Sequence, residues 1–225
     1  MKAKSLNPQI RSLAKAYLIV KQFLLKKGYD SEIDWQYSVS LHNLNEQIFL
    51  REAAWVILCG GFHENIIRIK FPNISKAFLN WKSAIAISQN AAECKEEALR
   101  FFNHKLKINA IISIASYITN VGFSTILRKL FNEGIQFLQE LFFIGPVTSL
   151  HLAKNIGIPI AKPDRHLINL AKELGYGDVQ ELCSNIANIT SEPIAVVDLV
   201  LWRYLTLNHR NIDRFSRLVG CLCSD

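Results

Sequence analysis

The residues best placed to do chemistry lie in two short segments in the second half of the chain. In the first, Gly145-Pro146 precedes Val147 and Thr148 at the predicted start of a helix. Glycine permits backbone angles that a larger residue resists, and proline suits the first helical position because no amide hydrogen is needed there. The free amides of Gly145, Val147 and Thr148 would then face outward from a helix N-terminus, which binds phosphate. Such a backbone contact holds nucleic acid without reading its sequence, although Gly-Pro also fits a plain corner between two helices.

In the second segment, a carboxylate stands at the start of the next predicted helix. Asp164 precedes apolar residues at positions i, i+3, i+4 and i+7 counted from Leu167, so it is predicted to cap an amphipathic helix. Beside a flipped nucleotide, an ionised Asp could also stabilise positive charge on the sugar. It could instead orient or deprotonate a water that attacks the anomeric carbon. Capping alone is a complete structural explanation, and the two roles can coexist.

Composition places these segments in a basic, globular chain. Of the 225 residues, 50% are hydrophobic and 20% are charged, which suits one large domain or two lobes that share a core. The net charge is +7, and between Arg100 and Lys172 nine Lys or Arg stand against three Asp or Glu. This zone suggests a polyanionic partner, although a solvated basic surface is also possible. Because the apolar run Ala53–Phe62 is too short to span a bilayer, we expect a cytoplasmic protein without a membrane partner.

Helical periodicity runs through almost the whole chain, and no segment alternates as a strand would. The predicted fold class is therefore all-α. The first predicted helix ends near Gly28. Residues 29–46 are predicted to be irregular, with Trp35 and Tyr37 as packing anchors. The apolar faces of the predicted helices begin at Ile10, Phe49, Ile108, Ile135, Leu167 and Ile194, and a shorter helix is predicted from Pro72 towards Trp81.

One resemblance joins the two segments. The pattern 141–148 (LFFIGPVT), followed by 163–166 (PDRH), resembles the helix-hairpin-helix/GPD superfamily of DNA glycosylases. Endonuclease III, the 8-oxoguanine glycosylases and the alkyl-base glycosylases belong to that superfamily. The resemblance runs from about Phe49 to Tyr204, and Asp164 matches the catalytic Asp of the family.

The resemblance implies a two-lobed helical bundle with the base pocket in the cleft and the catalytic Asp at its edge. One lobe would span residues 47–160 and include the helix-hairpin-helix at about 134–157. The other would combine residues 1–46 with 161–225. The implied partner is double-stranded DNA that contains a modified base, bound by a monomer.

Two positions depart from the family pattern. Bifunctional members carry a catalytic lysine where this chain has Val147, and valine cannot form a Schiff base. The resemblance therefore implies a monofunctional enzyme that uses water and lacks AP-lyase activity. Phe143 stands where the hairpin usually begins its turn with glycine, so the turn must adapt.

The resemblance also bears on metals. No cofactor is expected to be required. Hairpin carbonyls in the family often hold Na+ or K+, and by position these would belong to Gln139, Leu141 and Ile144. An iron–sulfur cluster is not expected, because Cys221 and Cys223 do not supply the four-ligand spacing of endonuclease III.

The remaining candidates concern base flipping and recognition. By resemblance, Phe62 lies in the loop that carries the family's wedge, and an apolar ring can insert between base steps; a core Phe after a helix-ending glycine is the alternative. Trp55 and Cys59, one turn apart on the preceding helix, are candidates for the pocket, with core packing as the alternative for Trp55. Glu52 could accept from a base edge or be an exposed helix charge. Arg165 could reach a phosphate.

Asp198 lies within an apolar helical face, where a carboxylate needs a partner. A buried pair with Arg203 or Arg165 is one interpretation. The other is a supporting role behind the site.

The sequence thus predicts a glycosylase that hydrolyses the N-glycosidic bond of a damaged or modified base, for repair or for attack on foreign DNA. Alkylated, oxidised, deaminated and hypermodified phage bases all remain open as substrates. A non-catalytic helix-hairpin-helix module that binds DNA is the main alternative, and an all-α protein–protein scaffold is a third.

Overall fold

The structure, a computed structural model, describes residues 8–208 and 210–223. Every regular element in these two ranges is a helix, which confirms the all-α class. The chain divides into two compact units. Unit 1 combines the N-terminal segment through Val39 with the segment that starts at Pro159, and unit 2 is Ser40–Ile158. The sequence prediction had put these boundaries at residues 46/47 and 160/161.

Unit 1 is built around one nearly enclosed helix. Its helices are α1 (Pro8–Lys26), α2 (Asp30–Ser38), α11 (Arg165–Glu173), α12 (Val179–Thr190), α13 (Ile194–Leu207) and α14 (Asn211–Cys223). Helix α13 packs against the other five, and all its residues from Ala195 to Leu201 are buried. Tyr17 and Leu24 of α1 and Phe215 of α14 complete this core. Unit 1 therefore packs α11, which Asp164 precedes, against α12, α13 and α14.

Unit 2 carries the predicted hairpin. Its helices are α3 (Glu46–Cys59), α4 (Glu64–Ala77), α5 (Ala84–Gln89), α6 (Ala91–Phe101), α7 (Lys105–Val121), α8 (Phe123–Glu133), α9 (Ile135–Glu140) and α10 (Pro146–Asn155), with short 3-10 turns at Leu41–Asn43 and Leu79–Trp81. Helix α3 packs against α4, α7 and α10, and α9 packs against α8 and α10. Asn45 begins α3 because its side chain accepts the Ile48 amide at 2.9 Å.

Among the described residues, no single helix is long and apolar enough to cross a membrane, while α7 and α8 pass that test of length and composition only as a pair bent by 100°.

The prediction for residues 29–46 was wrong in part. Residues Asp30–Ser38 form α2, which buries Ile33 and Gln36. Trp35 and Tyr37 are 37% and 42% exposed, so they are not packing anchors. The one-turn spacing of Ile33 and Gln36 sets the buried face. Trp35 falls on the opposite side of the helix, and Tyr37, one turn after Ile33, lies at the edge of the buried face with its ring exposed.

The shorter helix predicted from Pro72 was also wrong. Pro72 lies inside α4, which begins eight residues earlier at Glu64. Beyond α4, the turn Leu79–Trp81 has φ angles of 52° to 63° and buries the Trp81 ring, whose Nε1 donates to Ser75 Oγ at 2.9 Å. Proline was interpreted as a helix start because that is its commonest helical position.

Candidate functional site

The predicted hairpin is present in unit 2 as α9, a five-residue turn and α10. The Ile144 amide donates to the Leu141 carbonyl at 3.0 Å, which closes the turn. The Ser149 amide donates to the Gly145 carbonyl at 2.8 Å, which begins α10. Gln139 Nε2 donates to Ser149 Oγ at 3.3 Å and ties α9 to α10. The turn is therefore braced from both helices.

The backbone conformations of Gly145 and Phe143 in the hairpin turn differ from the prediction. Gly145 has φ −87° and ψ −177°, an extended conformation that any residue adopts, so the prediction of special angles there was wrong. Phe143 is the residue with the left-handed conformation, at φ +70°. The turn thus keeps a glycine-type conformation at the position where the family pattern has glycine, and it does so with an aromatic side chain.

Gly145 instead leaves open space in front of α10. A Cβ placed on it would meet no atom within 4 Å. Val147 and Thr148 lie in the first turn of α10, where a helix has no carbonyls of its own to accept their amides, and the Gly145 cap has no side chain to do so. Val147 is 59% exposed. These outward amides and the positive end of the helix can bind an anion such as phosphate.

The hairpin carbonyls have the donor chemistry that a monovalent cation needs, because carbonyl oxygens are hard neutral ligands. Leu141 uses one lone pair of its carbonyl for the Ile144 amide and keeps the other. A site formed by the carbonyls of Gln139, Leu141 and Ile144 stays a prediction.

A buried lysine lies beside the hairpin turn. Lys107 of α7 is 3% exposed, and its Nζ donates to the carbonyls of Ile57, Leu58 and Gly60 at the end of α3. The distances to the Leu58 and Gly60 oxygens are 3.3 and 2.6 Å. Burial lowers the pKa of the Lys107 amine, and Cys59 opposes that shift. Three carbonyl acceptors match the three hydrogens of an ammonium group, so Lys107 closes the C-terminus of α3.

Lys107 also connects the predicted wedge loop to the hairpin. Its Nζ lies 5.3 Å from the Phe62 ring centroid and 5.6 Å from the Phe143 ring centroid. Phe62 meets Phe102 and His104 edge-on, with ring centroids 5.1 and 6.0 Å apart. We call these five residues the aromatic–lysine cluster. Phe62 is 41% exposed, so the alternative of a core phenylalanine is wrong.

The three pocket candidates lie on α3 in packed surroundings. Trp55 is half-buried and meets Phe71 of α4 edge-on at 5.0 Å, as core packing between the two helices requires. Cys59 is half-buried at the end of the helix. Their roles in a base pocket stay predictions.

Glu52 differs most from expectation, because it is buried and is not an exposed helix charge. Its carboxylate accepts from Asn155 Nδ2 at 2.8 Å and pairs with Arg51 at 2.7 Å. Burial raises the pKa of Glu52, while Arg51 and Asn155 lower it. The contact with Asn155 joins α3 to the last residue of α10, so Glu52 anchors the hairpin.

In unit 1, Asp164 caps α11 as predicted. Its Oδ1 accepts the His166 amide at 2.8 Å, and its carbonyl accepts the Ile168 amide at 2.8 Å. Asp164 is half-buried, and its Oδ2 accepts no hydrogen bond from any residue in the described ranges. One carboxylate oxygen is thus held by the backbone, and the other is available to a ligand or a water.

The segment before Asp164 is tied down by α12 and α13. Asp198 of α13 is buried and its Oδ2 accepts the Lys162 amide at 2.6 Å. The Lys162 carbonyl in turn accepts the Asp164 amide at 2.8 Å. The expected pair with Arg203 was wrong, since Arg203 binds Glu32 with Nε–Oε2 and Nη2–Oε1 distances of 2.8 and 2.5 Å. Asp198 therefore supports the loop that presents Asp164.

Only some of the cations between Arg100 and Lys172 lie on the surface of the protein. Lys107 and Lys154, two of its nine cations, are buried, whereas Arg165 is exposed at the first position of α11. Arg165 is free to contact a phosphate from that position.

The chain matches no family model, no curated protein and no solved structure.

Sequence reasoning missed Lys107, the residue that joins the two candidate DNA-contacting loops. A signal was present, because Lys107, Ala110, Ile111 and Ile114 share one face of α7 at helical spacing. A lysine in line with an apolar face indicates a buried amine with fixed partners. Those partners are backbone carbonyls about 50 positions away, which no side-chain pattern reveals.

Proposed function

We propose that this chain is a monofunctional DNA glycosylase with the helix-hairpin-helix/GPD fold. It would hydrolyse the N-glycosidic bond of a damaged or modified base in double-stranded DNA and leave an abasic site. The observation that carries the proposal is the hairpin of α9 and α10, whose first-turn amides are open at Gly145. Asp164, with one oxygen held and one available, supplies the reactive group.

The proposal gives each unit a separate task. In unit 2, the amides of Val147 and Thr148 would bind the DNA backbone, and Glu52 would keep the hairpin in place through Asn155. Because Gly145 has no side chain, a phosphate can approach these amides closely. This contact is sequence-independent, as an enzyme that must examine many sites requires.

In unit 1, Asp164 would act on the sugar of the flipped nucleotide. Its Oδ1 stays on the His166 amide, which fixes the rotamer, while Oδ2 faces the reacting centre. As the bond between base and sugar breaks, positive charge develops on the sugar and the carboxylate stabilises it. The same oxygen can orient the water that adds to the anomeric carbon and accept its proton. The departing base takes up the bond's electron pair and is released once protonated.

Val147 supports hydrolysis by water and not a lyase reaction. Bifunctional members of the family that the chain resembles carry their nucleophilic lysine at the matching position, whereas the valine side chain has no nucleophile. The predicted product is an intact strand that carries an abasic site.

A non-catalytic DNA-binding module is the second candidate, and one observation favours it. The hydrogen bond from the His166 amide already explains an Asp at position 164 as a helix cap. Such a module would use the same hairpin and release no base.

Base release separates the two candidates. Purified protein is incubated with heterogeneous genomic DNA, including phage DNA, and free bases are identified by mass spectrometry. The glycosylase proposal predicts a free modified base and alkali-labile abasic sites in the DNA. DNA that is bound but unchanged across such heterogeneous samples would favour the module.

A glycine pair tests the hairpin contact. Gly145→Ala adds a methyl group in open space, so folding should be unchanged while DNA affinity falls about tenfold through loss of phosphate contact. Gly220→Ala is the matched control, since its Cβ also meets nothing within 4 Å and it lies in α14. Equal DNA affinity of the two variants would refute the proposed role of the hairpin. A complete absence of salt-dependent DNA binding by the wild type would favour a protein–protein scaffold.

A further inference from the structure

Helices α1, α13 and α14 of unit 1 surround a pocket that the proposed function does not use. Its cavity volume is about 490 Å³, within the range of about 300–1,000 Å³ that small-molecule pockets have. All its lining residues belong to unit 1, and Asp164 is not one of them. The pocket is therefore a second place in the molecule where a ligand could bind.

The walls of the pocket are largely apolar and aromatic. Ile19 and Phe23 of α1 and Leu207 of α13 line it, and these side chains are 49%, 40% and 40% exposed. The Phe23 and Tyr204 rings meet edge-on with their centroids 5.9 Å apart, and Tyr29 adds a third ring to the wall. An apolar ligand would cover this surface, and the rings favour one that is itself aromatic.

The charged residues of the pocket are both cations. Lys27 and Arg214 line it, whereas no Asp or Glu of the described ranges does. The Lys27 ammonium lies 5.8 Å from the Phe23 ring centroid. Burial raises the pKa of Tyr204 and the positive charge of Arg214 opposes that shift, so Arg214 is close to the second ring. Each ring of the edge-on pair thus has a cation beside it.

Neither cation is neutralised by the protein. Within residues 8–208 and 210–223, no carboxylate forms an ion pair with Lys27 or Arg214. Arg214 is instead positioned by Asn211, which is 3% exposed. The Asn211 Nδ2 donates to the Tyr204 carbonyl at 2.7 Å, and its Oδ1 accepts from Arg214 Nη1 at 3.2 Å. Because a guanidinium has five N–H donors, Arg214 keeps donors for an anion.

We propose that this pocket binds a small aromatic anion, a planar ring system that carries one phosphate or carboxylate group. The ring system packs against Phe23 and Tyr204, and the anionic group accepts hydrogen bonds from Lys27 and Arg214. A neutral aromatic molecule would leave both cations without a partner, and a simple inorganic anion would leave the apolar walls in water. The proposal concerns unit 1 alone and does not rest on the proposed glycosylase activity.

The test uses four probes that separate the ring from the charge. They are 1-naphthyl phosphate, 1-naphthoate, neutral 1-naphthalenemethanol and inorganic phosphate. Binding to the full chain without DNA is measured by isothermal titration calorimetry for the wild type, Lys27→Gln, Arg214→Gln and Phe23→Ala. Arg217→Gln is the matched control, because Arg217 is an exposed cation of α14 that does not line the pocket. Thermal melting of each variant checks that the fold is retained.

At least one of the two anionic naphthalenes should bind once per chain with a Kd of about 0.1 mM. The tighter of the two assigns the anionic group as phosphate or carboxylate. Neutral 1-naphthalenemethanol and inorganic phosphate should each bind at least about tenfold more weakly. Lys27→Gln and Arg214→Gln should each weaken binding about tenfold, and Phe23→Ala about fivefold. Arg217→Gln should bind as the wild type does.

Three results would overturn the proposal. The first is no saturable binding of either anionic naphthalene below about 1 mM. The second is an equal loss of affinity in Arg217→Gln and Arg214→Gln, which would show general attraction to a basic surface. The third is self-association of the free protein, measured by analytical ultracentrifugation and abolished by Phe23→Ala, which would assign this face to a second copy of the chain. Base release is measured separately, so none of these results decides the glycosylase proposal.

Discussion

Replacing Lys107 by methionine removes the group that joins the end of α3 to the aromatic–lysine cluster. Methionine keeps most of the aliphatic stem and volume, so the change acts chiefly on the ammonium. The carbonyls of Ile57, Leu58 and Gly60 then lose their donor. The contact with Leu58 is long at 3.3 Å, which leaves two strong hydrogen bonds to count.

A hydrogen bond from a charged donor contributes about 1.5–3 kcal/mol, and acceptors left unpaired in a buried site add to the loss. Burial of the ammonium works in the other direction, as its lowered pKa shows. We therefore expect Lys107→Met to reduce the free energy of unfolding by about 3 kcal/mol. In a chain of this size the Tm should fall by about 6–12 °C.

Thermal and urea unfolding, followed by circular dichroism, measure this change. Lys105→Met is the matched control, because Lys105 is exposed two residues earlier on the same helix. The control should stay within about 0.5 kcal/mol of the wild type. If both variants are equally stable, Lys107 does not hold the end of α3 through these carbonyls.

Three further predictions concern the supports of the candidate site. Burial raises the pKa of Glu52, so protonated Glu52 contributes fully to folding stability below the unfolded pKa of 4.5, and this stability is lost as pH rises through the folded pKa. In urea unfolding, Glu52→Gln should therefore gain stability relative to the wild type from pH 4 to pH 7. A change of opposite sign would refute this. Gly157 has φ +94°, and a Cβ there would lie 2.4 Å from the Leu41 amide nitrogen. Gly157→Ala should therefore cost more than about 3 kcal/mol in urea unfolding, whereas an unchanged midpoint would contradict the close approach. Asp198→Ala should cost about 1–3 kcal/mol by removing the oxygen that accepts the Lys162 amide, and base release should fall with it. Asp198→Asn should restore both because its amide oxygen can accept the same hydrogen bond, and a failure of that rescue would point to another role.

The sequence predicted those parts of the structure that depend on local pattern. Helices α1, α3, α7 and α13 contain the apolar spacing from which they were predicted, whereas α9 and α11 end before its last apolar position, at Glu140 and Glu173. Asp164 caps α11 because capping needs only neighbouring residues. Helix α2 was missed because it has few apolar residues, and its core contacts are limited to Ile33 and Gln36.

The remaining features depend on contacts that are distant in sequence. Glu52 looked like a surface charge until Asn155, 103 positions later, placed it in a buried contact. Asp198 accepts a hydrogen bond from a backbone amide, a kind of partner that the predicted pair with an arginine did not include. Position 143 shows another limit, since the backbone adopts a conformation that the residue type disfavours. Backbone partners and strained conformations leave no signal in residue spacing.

The most direct test of the central proposal is base release by Asp164→Asn. Asparagine is as good a helix cap as aspartate and can still accept the His166 amide, so the substitution removes the charge and keeps the cap. Base release from modified DNA, measured by mass spectrometry, should fall at least about 100-fold. DNA affinity and Tm should stay close to those of the wild type. Full base release by the Asp164→Asn variant would contradict the proposed chemistry.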